Sequence, residues 1–502
     1  MPILLGFDIG TTSTIGILID TDGRTLATAT RPSSLFSPQS GWAEADPRTW
    51  WRNCCAIARE VLAVSAINAK DIAGIGVTGM VPALVVLDAA GVPLRPALLQ
   101  NDARATAEMD AMRCEFSAQS FFARTGGSIN QQIIAPKLQW LRKNEPRLFA
   151  RISSVVGSYE YIAGCLTGAR YLEANWALEA GVMDFSTGQL DAELLAAGGL
   201  PPSAFGRLCQ PNQLVGRVTA AAALQTGLAE GTPVVAGCAD HVASAFVAGA
   251  RADGDLVLKF GGAGDILLSC QKPVTDPRLF IDYHIVPGCY FSNGCTAAAG
   301  SLLNWIVAQF AGGEREQAEA AGVSMHAWLD RLAEAVPAGA NGLIFLPYVL
   351  GEKTPLHDPY ARGTLVGLGL HHTLAHVWRA ALEGVIFGFR HHVEVFAELG
   401  LSVARVVACD GGSASDIWLQ IAADVIGCPV TRIAKHPGSC LGAAYVAGVG
   451  VGVIEGYDGI SGYVAEGDVF HPEKRNREVY ERAFANFRET YERLKPLYPR
   501  LK

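Results

Sequence analysis

The stretch Leu4–Arg24, LLGFDIGTTSTIGILIDTDGR, constrains the fold of this chain more than any other. An apolar run, one carboxylate at Asp8, a turn of Gly10, Thr11, Thr12, Ser13 and Thr14, and a second apolar run make a β-hairpin whose turn is crowded with small donors. Asp22-Gly23 turns the chain again into TLATAT, so the opening is antiparallel. In a glycine-bearing turn, successive backbone N–H groups can point into one concavity, and hydroxyls add donors, which suits a phosphate. An acid beside such a nest repels the ligand unless a cation stands between them, so Asp8 implies Mg2+.

The pattern recurs at Asp255. DLVLKFGGAGDILLSC is strand, glycine turn and strand, with an acid at the turn (Gly261, Gly262, Ala263, Gly264, then Asp265), about half the chain from the first. A third turn, Gly411, Gly412 and Ser413 in DGGSAS, ends the strand that starts at Arg405 and opens a helix. Singly, each is an ordinary sheet turn. Three in one chain suit a nucleotide, and the carboxylate beside the first two strengthens that reading. The repeat predicts two similar lobes, 1–248 and 249–502, meeting at a hinge near residue 250 with no long linker between them. Helical patterns are predicted over Ala103–Phe122, Leu138–Asn144, Ala192–Ala197, Ala299–Phe310 and Leu374–Leu399.

Asp240 stands where PVVAGCADHVASAF passes from a buried strand into a small-residue helix. It reads either as a helix cap or as the base that takes a hydroxyl proton during phosphoryl transfer. His241, adjacent on the helix, is read as pointing elsewhere and incidental. The pairs His371-His372 and His391-His392 cannot share one helix face and are not read as metal ligands. No GxxxxGK[ST] motif is present, and the GxGxxG at Gly74–Gly79 is followed too closely by its next acid, Asp88, with Pro82 in the way of the expected helix.

Composition excludes several classes. The chain has 502 residues and a net charge of −8, which gives no footprint for nucleic acid or an anionic membrane. The 12 cysteines show no CxxC pair, and no signal segment leads the chain, so reduced thiols in a cytoplasmic protein are expected. Pro437–Ile454 is uncharged over 18 residues, but Gly438, Gly442, Gly448, Gly450 and Gly452 make it a glycine-faced buried helix rather than a membrane span.

On these motifs the chain resembles the FGGY carbohydrate kinases, most of all their xylulose kinase branch, nearly end to end. GFDIGTTSTIGILID is similar to the family's first phosphate loop and GWAEADPRTWW (Gly41–Trp51) to the segment after it. PKLQWLRKN (Pro136–Asn144) resembles the core of the first signature, although Gln132 and Ile134 depart upstream of it. LPYVLGEKTPLHDPYARGTLVGL leads into the second signature, which Gly363–Glu383 fits throughout. DGGSASDIWLQIAADVIGCPV resembles the adenosine loop, and GSCLGAAYVAG the closing helix.

The resemblance implies an α/β fold of two actin-like, ribonuclease H-like lobes. Each would be a five-stranded mixed sheet flanked by helices, with ATP and sugar between them. It also implies roles. Asp8 would hold Mg2+ directly or through water. Gly10, Thr11, Thr12 and Ser13, with Gly261, Gly262 and Gly264, would contact the phosphates. Gly411, Gly412 and Ser413 would face the adenosine. Asp240 would be the base, and Met80, Val81, Asn101, Asp102 and Arg104, with Asp240, would line the acceptor site.

Three departures bear on these roles. Gly261-Gly262-Ala263-Gly264 lacks the hydroxyls of the usual Gly-Thr-Ser. Met80-Val81-Pro82-Ala83 replaces Gln-Met-His-Gly, and LQNDAR replaces a Trp-Asn-Asp-Gly-Arg segment, which changes the hydroxyls a sugar site can read. The expectation is an ATP-dependent sugar kinase for a ketopentose such as D-xylulose. Another ketose, a polyol or an aldonate is the alternative acceptor, and a non-catalytic, nucleotide-gated actin-like protein is the rival outside enzymes. A homodimer is admitted, though no segment marks an interface.

Overall fold

The computed structural model describes residues 1–501, which divide into two compact units. The first comprises Met1–Val247, Asp282–Cys289 and Pro437–Tyr463, and the second Ala248–Ile281, Tyr290–His436 and the chain from Val464. A single cut after 248 therefore does not describe the division, because the chain re-enters the first unit twice.

The sheet of the first unit has seven strands: β1 (Ile3–Ile9), β2 (Ser13–Asp20), β3 (Thr25–Pro32), β4 (Ile72–Gly79), β5 (Leu214–Arg217), β6 (Pro233–Val235) and β7 (Cys238–Ala239). Their order is β5-β6-β4-β1-β2-β3, with β7 also paired to β4. β1, β2 and β3 form the expected antiparallel meander, while β4 runs parallel to β1, and β6 and β7 parallel to β4.

The second sheet also has seven strands: β8 (Asp255–Phe260), β9 (Gly264–Cys270), β10 (Phe280–Tyr283), β11 (Tyr290–Thr296), β12 (Arg405–Cys409), β13 (Val430–Lys435) and β14 (Ala465–Phe470), ordered β10-β11-β9-β8-β12-β13-β14. The path β11-β9-β8-β12-β13 repeats the directions of β3-β2-β1-β4-β6, so the repeat in letters is a repeat in topology. Both sheets are mixed, with seven strands rather than five: β5 at an edge and β7 beside β4 are added in the first, and β10 and β14 at the two edges of the second.

β1 reads as a continuous apolar run because both its faces are covered. Helix α1 (Pro47–Ser65) starts at Pro47 behind the cap Asp46, whose side chain accepts from Arg48 N, and packs Ile57 over Gly16 of β2. The opposite face carries a helix from the segment Pro437–Ile454. It spans Ser439–Gly450 and is buried from Ser439 through Gly448, as a glycine-faced core helix should be. Among the described residues, no helix is long and apolar enough to cross a membrane.

Other helices fall close to expectation, at Gly300–Phe310 and Leu374–Glu398 for example. The pattern over Ala103–Phe122 instead yields two helices, Thr106–Glu115 and Ala118–Thr125. The break comes at Ser117, whose hydroxyl accepts from Ser120 N and caps the second.

Candidate active site

Parallel register gathers the candidates of the first unit. Asp8 and Ile9 of β1 lie opposite Thr78 and Gly79 of β4, and Ala239 of β7 lies opposite the same Gly79. The turn after β1, Met80 after β4 and Asp240 after β7 thus leave the sheet at one edge, the carboxyl ends of parallel strands, where open α/β sheets bind ligands. The Thr78 hydroxyl donates to Cys238 O at 2.7 Å and ties β4 to β7 immediately before Asp240.

Within the turn, Gly10 N donates to Ser13 O at 2.9 Å, leaving Thr12 exposed at the tip and Thr11 and Ser13 half-buried. Asp8 is half-buried at the strand end. A carboxylate placed so, beside a turn of N–H and hydroxyl donors, fits Mg2+, which takes one or two carboxylates and fills its shell with water and phosphate oxygens.

Asp240 opens a helix of its own, α2 when numbered from α1, over Asp240–Val247. Its Oδ1 accepts from His241 N at 2.6 Å and lies 3.6 Å from His241 Nδ1. The expectation that His241 points elsewhere is corrected here. Its Nε2 is 3.0 Å from Asp282 Oδ2 on β10 and 3.8 Å from Glu179 Oε1 at the end of the helix Ala174–Glu179. Burial acts to lower the His241 pKa, but the charge of Asp282 and the bonds to Asp240 and Asp282 outweigh it and raise it well above the ordinary value. Burial, with the neighbouring charge of Asp282, pushes Glu179 well above the carboxylate range.

The expected acceptor residues are placed unevenly. Met80 and Val81 are buried where the chain leaves β4, with Met80 O accepting from the Ser158 hydroxyl at 2.9 Å. Asn101 is exposed. Asp102 and Arg104, however, are turned inward. Asp102 Oδ1 accepts from Arg104 Nε at 2.8 Å, and Oδ2 accepts from Ala43 N at 2.7 Å and Arg104 Nη2 at 2.8 Å. The Arg104 side chain is fully covered, its guanidinium 3.7 Å from the Trp42 ring centroid and 2.6 Å from Glu44. These two side chains brace the loop that carries Asn101. Beside them the buried Lys137 ammonium donates to Leu99 O at 2.6 Å, and burial lowers its pKa to about 7.

In the second unit, β8 and β12 are parallel with Lys259 opposite Cys409, so the turns at Gly261–Gly264 and Gly411–Ser413 share one sheet edge. A Cβ added at Gly262 or at Gly411 would meet nothing within 4 Å, whereas one at Gly412 would strike Trp418 and Phe260. The first two glycines therefore border open space, and the third is packed on the core. The Ser413 hydroxyl is buried and donates to Asp410 O at 2.7 Å, so it holds the turn. Asp410 itself has φ 71° and ψ −178°, a region that favours glycine, and strain of this kind marks binding turns.

Lys259 was not among the expected site residues, although it stands two positions before the glycine turn. It lies 3.7 Å from Asp265 and 4.0 Å from Asp410. Asp265 is thus offset by a lysine.

The first 247 residues bear directly on identity. Residues 3–247 match the N-terminal domain of the FGGY family of carbohydrate kinases, and residues 269–451 its C-terminal domain. The chain belongs to that family. This FGGY kinase is 30% identical over 505 residues to a xylulose kinase of Bacillus subtilis, covering 100% of this chain and 99% of the relative. It is 28% identical over 466 residues to a gluconokinase of the same organism, covering 91% of this chain and 89% of that one. The solved structure of a xylulose kinase from Rhodospirillum rubrum superposes with a TM-score of 0.91 at 45% identity, covering 99% of both chains. The protein is an ATP-dependent sugar kinase with the actin-like, two-domain fold of its family.

Proposed function

We propose that this FGGY kinase transfers the terminal phosphoryl group of ATP to a hydroxyl of a ketopentose, with D-xylulose as the leading acceptor. Asp240 is the general base in this reading. It takes the proton of the acceptor hydroxyl as the new O–P bond forms and the bond to ADP breaks. The observation that carries the proposal is the register that delivers Asp240, the Asp8 turn and Met80 to one sheet edge.

In the same reading, backbone N–H groups and hydroxyls of the Gly10–Ser13 turn orient the phosphates. In the second unit, Gly261, Gly262 and Gly264, with Lys259, offer donors suited to phosphate, and the turn Gly411–Ser413, open at Gly411, suits the adenosine. Asp8 would hold Mg2+, which when bound would neutralise charge on the phosphates. For the acceptor, Met80, Val81 and Asn101 supply the local surface, and Asp102 and Arg104 keep the shape of the loop that carries Asn101. The supporting relatives named xylulose kinase favour the ketopentose, and the gluconokinase match favours an aldonate as the second reading.

The test is coupled ADP release with Mg-ATP and D-xylulose, L-xylulose, D-ribulose, xylitol, glycerol or gluconate. The proposal expects the highest kcat/KM for D-xylulose. Preference for gluconate would replace the ketopentose by an aldonate, and absence of acceptor-dependent release would remove the kinase reading of this edge. Sedimentation of the same preparation tests the homodimer, and fractionation of the source cells tests the cytoplasmic placement.

A further inference from the structure

Beyond the base itself, the first unit holds an arrangement that the reaction as described leaves unused. His241 lies between carboxylates on both sides of its ring. Nδ1 is 3.6 Å from Asp240 Oδ1, and Nε2 is 3.0 Å from Asp282 Oδ2 with Glu179 Oε1 at 3.8 Å. A neutral imidazole donates through one nitrogen and exposes a lone pair on the other, whereas the cation donates through both. The carboxylate in contact with Nε2 and the second carboxylate oxygen 3.6 Å from Nδ1 together favour the cation. The ring is largely covered, its partner Asp282 more so, with side-chain exposures of 22% and 2%.

We infer that His241 is a positioning residue for Asp240: Asp282 and Glu179 hold its ring so that a cationic edge lies against the base. The inference rests on Asp240 being the base. The bond from His241 N to Asp240 Oδ1 and the ring edge at Nδ1 restrain the same carboxylate oxygen, so the orientation of Asp240 depends on the ring. A cation at this distance also favours the ionised carboxylate, the form that accepts a proton.

The surrounding charges agree. Asp240 is on the same helix, Glu179 comes from the helix Ala174–Glu179, and Asp282 from β10. Glu173 acts on both Glu179 and Asp282, is raised by burial to about 7, and accepts from the Tyr159 hydroxyl at 2.7 Å. Cys238, two residues before Asp240, feels Glu173, Asp240 and Asp8, and burial keeps it a thiol. Burial pushes Glu179 and Glu173 toward their neutral forms.

The experiment compares kcat/KM against pH for wild type, His241→Gln, Asp282→Asn and Asp240→Asn, using the best acceptor of the panel with Mg-ATP. Removing the cation raises the Asp240 pKa, so the acid limb should move up by about one pH unit in His241→Gln and in Asp282→Asn. A limb that stays in place in folded His241→Gln and Asp282→Asn, while Asp240→Asn is inactive, overturns this inference alone. Turnover surviving in Asp240→Asn overturns the base assignment and this inference with it.

A second readout needs no variant to be active. With 15N-labelled histidine, the wild type at pH 7.5 should show an imidazolium signal that is absent from His241→Gln. A neutral ring there, or a stoichiometric divalent metal lost in Asp282→Asn, overturns the inference.

Discussion

Gly76→Ala puts the packing that supports the site under direct test. Gly76 of β4 pairs with Gly6 of β1, and both lie under the helix Ser439–Gly450. A Cβ at Gly76 would sit 2.0 Å from the carbonyl oxygen of Ala443 and 2.7 Å from its carbon, and one at Gly6 would sit 2.0 Å from Cys440 O. Ordinary contact begins at 3.4 Å, so the helix has to retreat from the sheet by about 1.4 Å. The obstacle is backbone, which no rotamer change relieves. The helix is buried throughout its first ten residues, and its retreat opens gaps along all of them.

Overpacking of this kind costs about 1 to 3 kcal/mol where side chains can adjust, and the rigid neighbour puts Gly76→Ala near about 3 kcal/mol or above. For a unit of this size each kcal/mol lowers Tm by about 2 to 4 °C, so a fall of about 6 to 12 °C is expected in differential scanning calorimetry. Because this helix packs directly on β1, the strand that carries Asp8, kcat should fall in the same variant below its melting range. A Tm within about 2 °C of wild type would refute the reasoning, since it would mean that helix and sheet tolerate a methyl where the structure allows none.

Gly262→Ala is the counterpart in open space: its Cβ meets nothing within 4 Å, so Tm should not change, while KM for ATP should rise about tenfold in steady-state assays if this loop holds phosphate. Glu383→Ala leaves the buried Arg379 guanidinium without the carboxylate that it meets at 2.9 Å, and urea denaturation should show a loss of about 3 to 5 kcal/mol. Lys137, with its pKa lowered by burial from 10.5 to about 7, binds fewer protons folded than unfolded between those values. Its contribution to stability therefore rises with pH over that window, so the stability of wild type relative to Lys137→Met should increase from pH 7 to pH 10 in denaturant titrations. A flat difference would mean that the amine titrates normally.

How much of this was legible beforehand depended on whether the signal was local. The hairpin at Leu4–Arg24 and its recurrence at Asp255 are written as apolar runs and turn residues, so both the meander and its repeat could be read. Asp240 was visible because an acid between a buried run and a small-residue helix is unusual. Its neighbours were not. Asp282 is 41 residues from His241 and lies beyond the apparent boundary, in a segment that re-enters the first unit, and no periodicity announces that return. Asp102 and Arg104 raise a different difficulty. A polar string reads the same whether its side chains face a ligand or each other, and only the aromatic rings of Trp42 and Trp140 around Arg104 show that they face inward. Lys259 was within reach of a local reading, since it is a cation two residues before a glycine turn.

Asp240→Asn tests the central claim most directly, with ATP affinity measured by calorimetry and phosphorylation by acceptor-dependent ADP release. The account predicts a Kd for Mg-ATP within about threefold of wild type and a kcat lower by about three orders of magnitude, the usual scale for losing a general base. Turnover close to wild type in that variant would contradict it.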